Sequence, residues 1–360
     1  MKAIEDRTGT PRSCLDSASH VLRISRRDFI LALGSIGVAP YAGIGSEPPE
    51  ASPSLAGQAR SQKHVRSATA FGAQAKLIVL HPDDAIADRA MDAALAELNR
   101  VESVLSLYRP DSELCRLNRE GTLTPPHPYL VEVVTKARQL SELSGGAFDV
   151  TVQPLWDLYA TAKRAGRTPG PSELEMARRK VNWRKLTVTP DLIKLEERGM
   201  AVTLNALAQG FAADRALAAL RCHSIQHALV NTGEIGAIGR KETGEPWTVG
   251  IQHPRKPDAY VALASLVDCC MATSGDYATR FSDDYVRHHI FDPANGESPQ
   301  ELASATVTAP AGLDADGLAT AILVLGREKG LKLLQAFPKA EAFLVLKDGQ
   351  TVSTPGFPAA

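Results

Sequence analysis

The irregular order of strand and helix signals along this chain limits its possible folds more than any other feature. Phe71–His81 has strand character, and Asp84–Leu107 then repeats Ile86, Met91, Leu95, Leu98, Val101, Val104 and Leu105 at helical spacing. A second helix is predicted from Tyr129 to Leu143, stopped by Gly145-Gly146. Lys185–Val188 and Leu192–Leu195 flank Pro190-Asp191 as a hairpin, and Ala201–Leu204 reads as a strand feeding a helix from about Leu207 to Leu220. Ala228–Asn231, Trp247–Ile251, Tyr260–Leu266 and Ala305–Ala309 supply further strands. Leu313–Leu325 reads as helix, broken near Gly326 and resumed to Phe337; Ala342–Leu346 and Thr351–Ser353 close the chain as a hairpin around Asp348-Gly349. A doubly wound sheet would need strand and helix in steady alternation, and the hairpins break it. The expected class is α+β, with mixed or antiparallel sheets and packed helices.

The N-terminus has a different character. Ser25-Arg26-Arg27-Asp28-Phe29-Ile30 places adjacent arginines before a mild apolar stretch reaching about Gly45, the layout of a twin-arginine export signal. No small-x-small cleavage site is clean there, since Ala42 has Pro40 at its −3 position, so an uncut leader could stay as an anchor. Residues 46–68 are rich in Pro, Ser, Ala and Gln without an apolar period and read as a flexible linker. The expected division is residues 1–45 as export signal, 46–68 as linker and 69–358 as one folded domain. The expected location is the periplasm, reached through the twin-arginine machinery.

A net charge of −1 with no block of Lys or Arg argues against a nucleic-acid partner, and 5% aromatic residues argues against a base-stacking platform. Of five cysteines, Cys14 lies in the leader; Cys115, Cys222, Cys269 and Cys270 match no metal-binding spacing and are expected mostly as buried small apolar groups, with one long-range disulfide left open.

Three oxygen-rich patches crowd the last hundred residues: Ala272-Thr273-Ser274-Gly275-Asp276-Tyr277, His288-His289-Ile290-Phe291-Asp292-Pro293 and Ala315-Asp316-Gly317-Leu318-Ala319-Thr320. Asp316 and Thr320 are four apart in a predicted helix, so they share one face and form a hard-oxygen corner suited to Mg²⁺ beside a phosphate. Asp316 could equally complement its own helix dipole, and Thr320 could bond its own backbone.

From about residue 70 to 355 the chain resembles the ApbE family of FAD:protein FMN transferases. The resemblance lies in ordered blocks: Glu102, Leu105-Ser106, Tyr108, Ser112-Glu113 and Leu117-Asn118; Gly146-x-Phe148-Asp149-x-Thr151-Val152; Ala208-Gln209-Gly210-Phe211-Ala212-x-Asp214; Asn231-x-Gly233; and the three patches above. Departures are Phe71-Gly72-Ala73 for the usual Met-Gly-Thr, Gln209 for Lys, Glu234 for Gly, and Thr203, Asn205 and Ala206 before the Gln209 turn. These departures look like a branch of exported members linked to nitrous-oxide reductase maturation.

The resemblance implies a single T-fold-related domain that moves FMN from FAD to a Thr or Ser hydroxyl of an acceptor protein and releases AMP. The implied acceptor is a membrane-bound electron-transfer subunit. Implied Mg²⁺ ligands are the carboxylate of Asp316, the hydroxyl of Thr320 and the carbonyl of Ala208. His289 is implied as base or phosphate contact, with His288 a mere neighbour. Asp276 is implied to orient acceptor or metal, or else to hold the Ser274-Gly275 turn. Tyr108, Gln209, Gly210, Asn231, Gly233, Glu234, Thr273, Ser274 and His289 line the implied FAD site. Glu234 is expected to face ribose or adenine, and Tyr108 either a cofactor ring or the core. Two other functions stay open from the residues: hydrolysis of FAD to FMN and AMP, and FAD binding without catalysis.

Overall fold

The computed structural model describes residues 61–360, so the expected export signal and most of the expected linker lie outside the described residues. The strands are β1 (Gln62–Ala70), β2 (Ala73–His81), β3 (Thr122–Leu123), β4 (Leu186–Val188), β5 (Ile193–Leu195), β6 (His227–Asn231), β7 (Ile235–Ile238), β8 (Trp247–His253), β9 (Lys256–Leu266), β10 (Cys270–Gly275), β11 (Leu302–Ala309), β12 (Glu341–Leu346) and β13 (Thr351–Ser353). The helices are α1 (Asp84–Leu105), α2 (Glu113–Glu120), α3 (Pro128–Leu143), α4 (Gln153–Arg164), α5 (Pro171–Arg178), α6 (Ala208–Cys222) and α7 (Gly312–Leu334). Eight strands form one sheet in the order β1-β2-β6-β7-β10-β11-β12-β13. All its pairings are antiparallel. The α+β expectation holds.

Side-chain alternation divides the sheet between two cores. Leu77 and Val79 of β2, Ala228 and Val230 of β6, and Cys270 and Ala272 of β10 face the core built with α1, α6 and α7. Leu80, Ala237 and Met271 face a smaller core closed by Trp247 and Ile251 of β8, Ala264 and Leu266 of β9, and Phe357. A sheet covered on both faces explains why every residue of β11 is buried. Leu155, Tyr159 and Ala177 of α4 and α5 make a third cluster with Phe291.

α1 follows its predicted stripe, with Met91, Leu98, Val101 and Leu105 buried, and starts where the Asp83 carboxylate accepts the Ile86 N–H at 2.9 Å. Strand β1 begins at Gln62, seven residues before the expected domain start at Thr69, because residues 62–70 pair along their whole length with β2. The segment Ala201–Leu204 is not a sheet strand. Instead the Asn118 side chain accepts from the Val202 N–H at 2.7 Å and donates to its carbonyl at 2.8 Å, so an amide satisfies the extended backbone. The expected break in the last helix is real: Gly326 sits at φ 76°, which favours glycine.

Two of the motif blocks are devices of the fold. Ser112 caps α2 by accepting from the Cys115 N–H at 3.0 Å. Asp149 is buried and accepts from the Thr151 N–H at 2.8 Å, the Thr151 hydroxyl at 2.6 Å and the Trp183 N–H at 3.0 Å. Burial raises its carboxyl against those donors.

Candidate active site

The N-termini of α6 and α7 meet at the centre of the candidate site. Both helices start after an apolar residue, Leu207 and Ala311, that cannot cap them. Their first turns touch through Gly210 and Gly312. A Cβ on Gly210 would lie 2.6 Å from the carbonyl carbon of Gly312 and 2.7 Å from Cβ of Asp316. Asp316, 4% exposed, accepts the Gly210 N–H at 3.0 Å through Oδ2. It therefore complements the dipole of α6 rather than only that of its own helix. Four residues on, the Thr320 hydroxyl pairs with the Ser274 hydroxyl of β10 at 2.7 Å instead of with its own backbone. Asp316 thus meets Gly210 of α6 and Thr320 meets Ser274 of β10, so the two predicted side-chain ligands stand where α7 crosses α6 and β10; Ala208 is the first residue of α6.

A narrow cleft opens beside this crossing, lined by Phe71, Leu105, Ser106, Tyr108, Ala208 and Gln209. Tyr108 is 53% exposed there, so the core-aromatic alternative fails. Gln209 lies across Gly233: its amide donates to the Thr232 carbonyl at 2.9 Å, and the Thr232 hydroxyl donates back to the Gln209 carbonyl at 2.9 Å. Gly233 stands at φ 105°, and a Cβ there would strike the Gln209 amide. The Asn231 side chain accepts from the Gly233 N–H at 2.9 Å, closing the turn. Glu234 accepts the Thr273 N–H at 3.0 Å through Oε2, and the Thr273 hydroxyl meets that of Thr306 at 2.9 Å. Gln209, Asn231, Gly233, Glu234 and Thr273 are thus joined by hydrogen bonds around the Gly233 turn, and Gln209 lines the cleft with Tyr108.

Asp276 departs from expectation. It is fully buried, and its two oxygens are gripped by Arg255 at 2.7 and 2.8 Å, with Lys347 at 3.8 Å. Ser274 and Gly275 are strand β10 rather than a turn, and the carboxylate anchors the β8–β9 tip, where Arg255 also lies over the Tyr285 ring at 3.9 Å. The Asp276 carboxylate in turn raises the Arg255 guanidinium further above its usual range. His289 is partly buried, and its Nδ1 lies 3.2 Å from the Thr279 carbonyl. A carbonyl partner puts the proton on Nδ1 and makes Nε2 the basic nitrogen. His288 is wholly buried, and burial lowers it to about 4.

Two site residues were missed from sequence. Arg255 sits in a loop 21 positions from Asp276 with no motif around it. Asp214 stands in a recognised block but had no assigned role; it accepts the Gly312 and Leu313 N–H groups at 2.6 and 2.9 Å. Burial raises its carboxyl, opposed by those two donors. All four described cysteines are free thiols, and the expectation of mostly buried thiols fails: only Cys270 is buried, Cys115 and Cys269 are half-buried and Cys222 is exposed. Among the described residues no three His, Cys, Asp or Glu side chains gather. The oxygens at the α6–α7 crossing are the Asp316 carboxylate and the Thr320 and Ser274 hydroxyls, hard donors of the type Mg²⁺ takes.

The ApbE family profile matches residues 71–344. A Treponema pallidum protein named FAD:protein FMN transferase is 31% identical over 325 residues, spanning 84% of this chain and 90% of its own length. A Vibrio cholerae protein of the same name is 34% identical over 250 residues, 66% of this chain and 74% of that one. Among solved structures, the flavin transferase ApbE from Vibrio cholerae superposes with a TM-score of 0.72 at 26% identity, over 82% of this chain and 98% of that one. The apo flavinyl transferase ApbE of Pseudomonas stutzeri does so at 0.70 and 30% identity, over 82% and 95%. With the profile spanning most of the described chain and relatives similar along its length, the chain belongs to the ApbE family.

Proposed function

We propose that this chain transfers FMN from FAD to a Thr or Ser hydroxyl of an acceptor protein, releasing AMP. The observation that carries the reading is the crossing of α6 and α7, which sets Asp316 on the Gly210 N–H and Thr320 on Ser274, while the first residues of the same α6, Ala208 and Gln209, line the cleft with Tyr108. The acceptor oxygen attacks the FMN-side phosphorus; a new P–O bond forms, the pyrophosphate P–O bond breaks, and AMP carries away the electron pair. The α6 N-terminus offers partial positive charge to the pyrophosphate. His289, with its proton held on Nδ1 by Thr279, receives the hydroxyl proton on Nε2. Asp316, Thr320 and the Ala208 carbonyl would hold Mg²⁺, which supplies Lewis-acid neutralisation of phosphate charge when bound. Gln209 braces the turn at Gly233 through the Thr232 carbonyl, and Glu234 ties that turn to β10 through the Thr273 N–H.

The test is AMP release from FAD with Mg²⁺, with and without an acceptor domain, read beside in-gel flavin fluorescence of that acceptor. Acceptor-dependent AMP with a fluorescent band, both lost in Asp316→Ala, is the expected result. AMP without a band would make the chain a hydrolase instead.

The working site we propose is the periplasm, with a membrane-bound electron-transfer subunit as acceptor, as in the branch tied to nitrous-oxide reductase maturation. Support comes from Arg26-Arg27 before the apolar stretch and from Gln209 and Glu234. Cell fractionation of an Arg26→Lys, Arg27→Lys chain should then find it in the cytoplasm.

A further inference from the structure

Each start of an α-helix leaves N–H groups without partners inside the helix. At the α6–α7 crossing these groups are satisfied reciprocally, each by a carboxylate of the other helix. Asp316 of α7 takes the Gly210 N–H of α6 at 3.0 Å. Asp214 of α6 takes the Gly312 N–H at 2.6 Å through Oδ1 and the Leu313 N–H at 2.9 Å through Oδ2. The buried Cys270 thiol lies 3.6 Å from Oδ1 and adds a third donor. Two bonds from one rigid carboxylate to successive N–H groups fix both the height and the rotation of the first turn of α7. Gly312, Asp316 and Thr320 follow at intervals of four residues along that helix. An error in the first turn is thereby passed to both Asp316 and Thr320.

We infer that Asp214 is a positioning residue for the metal corner: its grip on the first turn of α7 sets where Asp316 meets Gly210 of α6 and where Thr320 meets Ser274. The inference rests on the Mg²⁺ reading given above. A cap that served stability alone would lower the melting temperature and leave the metal affinity of the folded protein unchanged. A positioning residue must move that affinity.

The test uses the full-length protein without FAD or turnover, titrated with Mn²⁺ and read by electron paramagnetic resonance of the free ion. Asp214→Asn keeps the side-chain shape but turns an NH₂ group towards one of the two N–H donors. The expected result is a Kd for Mn²⁺ raised about tenfold, the scale seen when outer partners of metal ligands are lost. FAD affinity without metal stays within about twofold, since the Asp214 carboxylate bonds Gly312, Leu313 and Cys270, none of which lines the cleft. An Mn²⁺ Kd within about twofold of the unaltered protein overturns the inference. If Asp214→Asn does not fold, Asp214→Glu keeps both acceptors one methylene further out and is judged by the same shift. Asp316→Ala separates the two readings. Binding lost there but unchanged in the Asp214 variants sinks the positioning role alone. Unaltered protein that takes up no Mn²⁺ sinks the metal corner and the inference with it.

Discussion

Replacing Gly210 by alanine puts a Cβ 2.6 Å from the Gly312 carbonyl carbon and 2.7 Å from the Asp316 Cβ, with the Gly312 oxygen nearer still. Ordinary carbon–carbon contact is about 3.5–4.0 Å, so α6 and α7 must separate by roughly 1 Å. Overpacking of this kind costs about 1–3 kcal/mol. Weakening the charged bond from the Gly210 N–H to Asp316 adds about 1.5–3 kcal/mol. Alanine returns about 1 kcal/mol of helix propensity. The expected net loss is about 3 kcal/mol. Gly312→Ala meets the same contact from the other side, its Cβ falling 3.1 Å from the Gly210 carbonyl carbon and closer to the oxygen. Once one methyl has parted the helices the second finds room, so the double variant should lose about 3–4 kcal/mol rather than the sum, a coupling of about 2 kcal/mol. Urea unfolding at pH 7, extrapolated linearly to water, measures all four corners of the cycle. Single variants within about 0.5 kcal/mol of the parent, or strictly additive losses, would refute the contact as drawn.

His288 should make the fold acid-sensitive: its folded pKa of about 4 lies below the ordinary 6.5, so the unfolded chain takes the proton first. Its contribution is complete above pH 6.5 and falls by about 2 kcal/mol by pH 5, a slope that Gln at this position should remove in urea titrations at the two pH values. Asp276→Asn leaves Arg255 and Lys347 facing each other without a counter-charge, with Arg255 still 30% exposed. The expected loss is about 3 kcal/mol, seen as a melting temperature several degrees lower; Arg255→Met in the same chain should recover part of it, and an unmoved melting point would contradict the buried anchor. Glu234→Gln keeps an oxygen for the Thr273 N–H, so transfer to acceptor should stay within about tenfold, whereas a thousandfold loss would show that the carboxylate charge takes part.

What could be read from sequence was carried by spacing along a single element. The stripe of α1, the break at Gly326 and the closing hairpin all follow from neighbours within a few residues. So does the Asp316–Thr320 pair, since four residues on a helix make one face whatever surrounds them. Strands β7 and β10 were not legible. Thr273, Ser274 and Gly275 look like site loop, and only pairing with β11 along six residues makes them sheet. Helices α2, α4 and α5 are short, and α4 and α5 bury their apolar residues in a cluster completed by Phe291, far along the chain. The partners of the site carboxylates were equally hidden: Asp276 is claimed by Arg255, and Asp214 by N–H groups 98 and 99 positions away. Local geometry thus determined which side chains share a face, because the helical repeat is a property of the backbone. Which groups those side chains meet was decided only in the tertiary structure, because packing between distant segments decides which buried donor each carboxylate reaches.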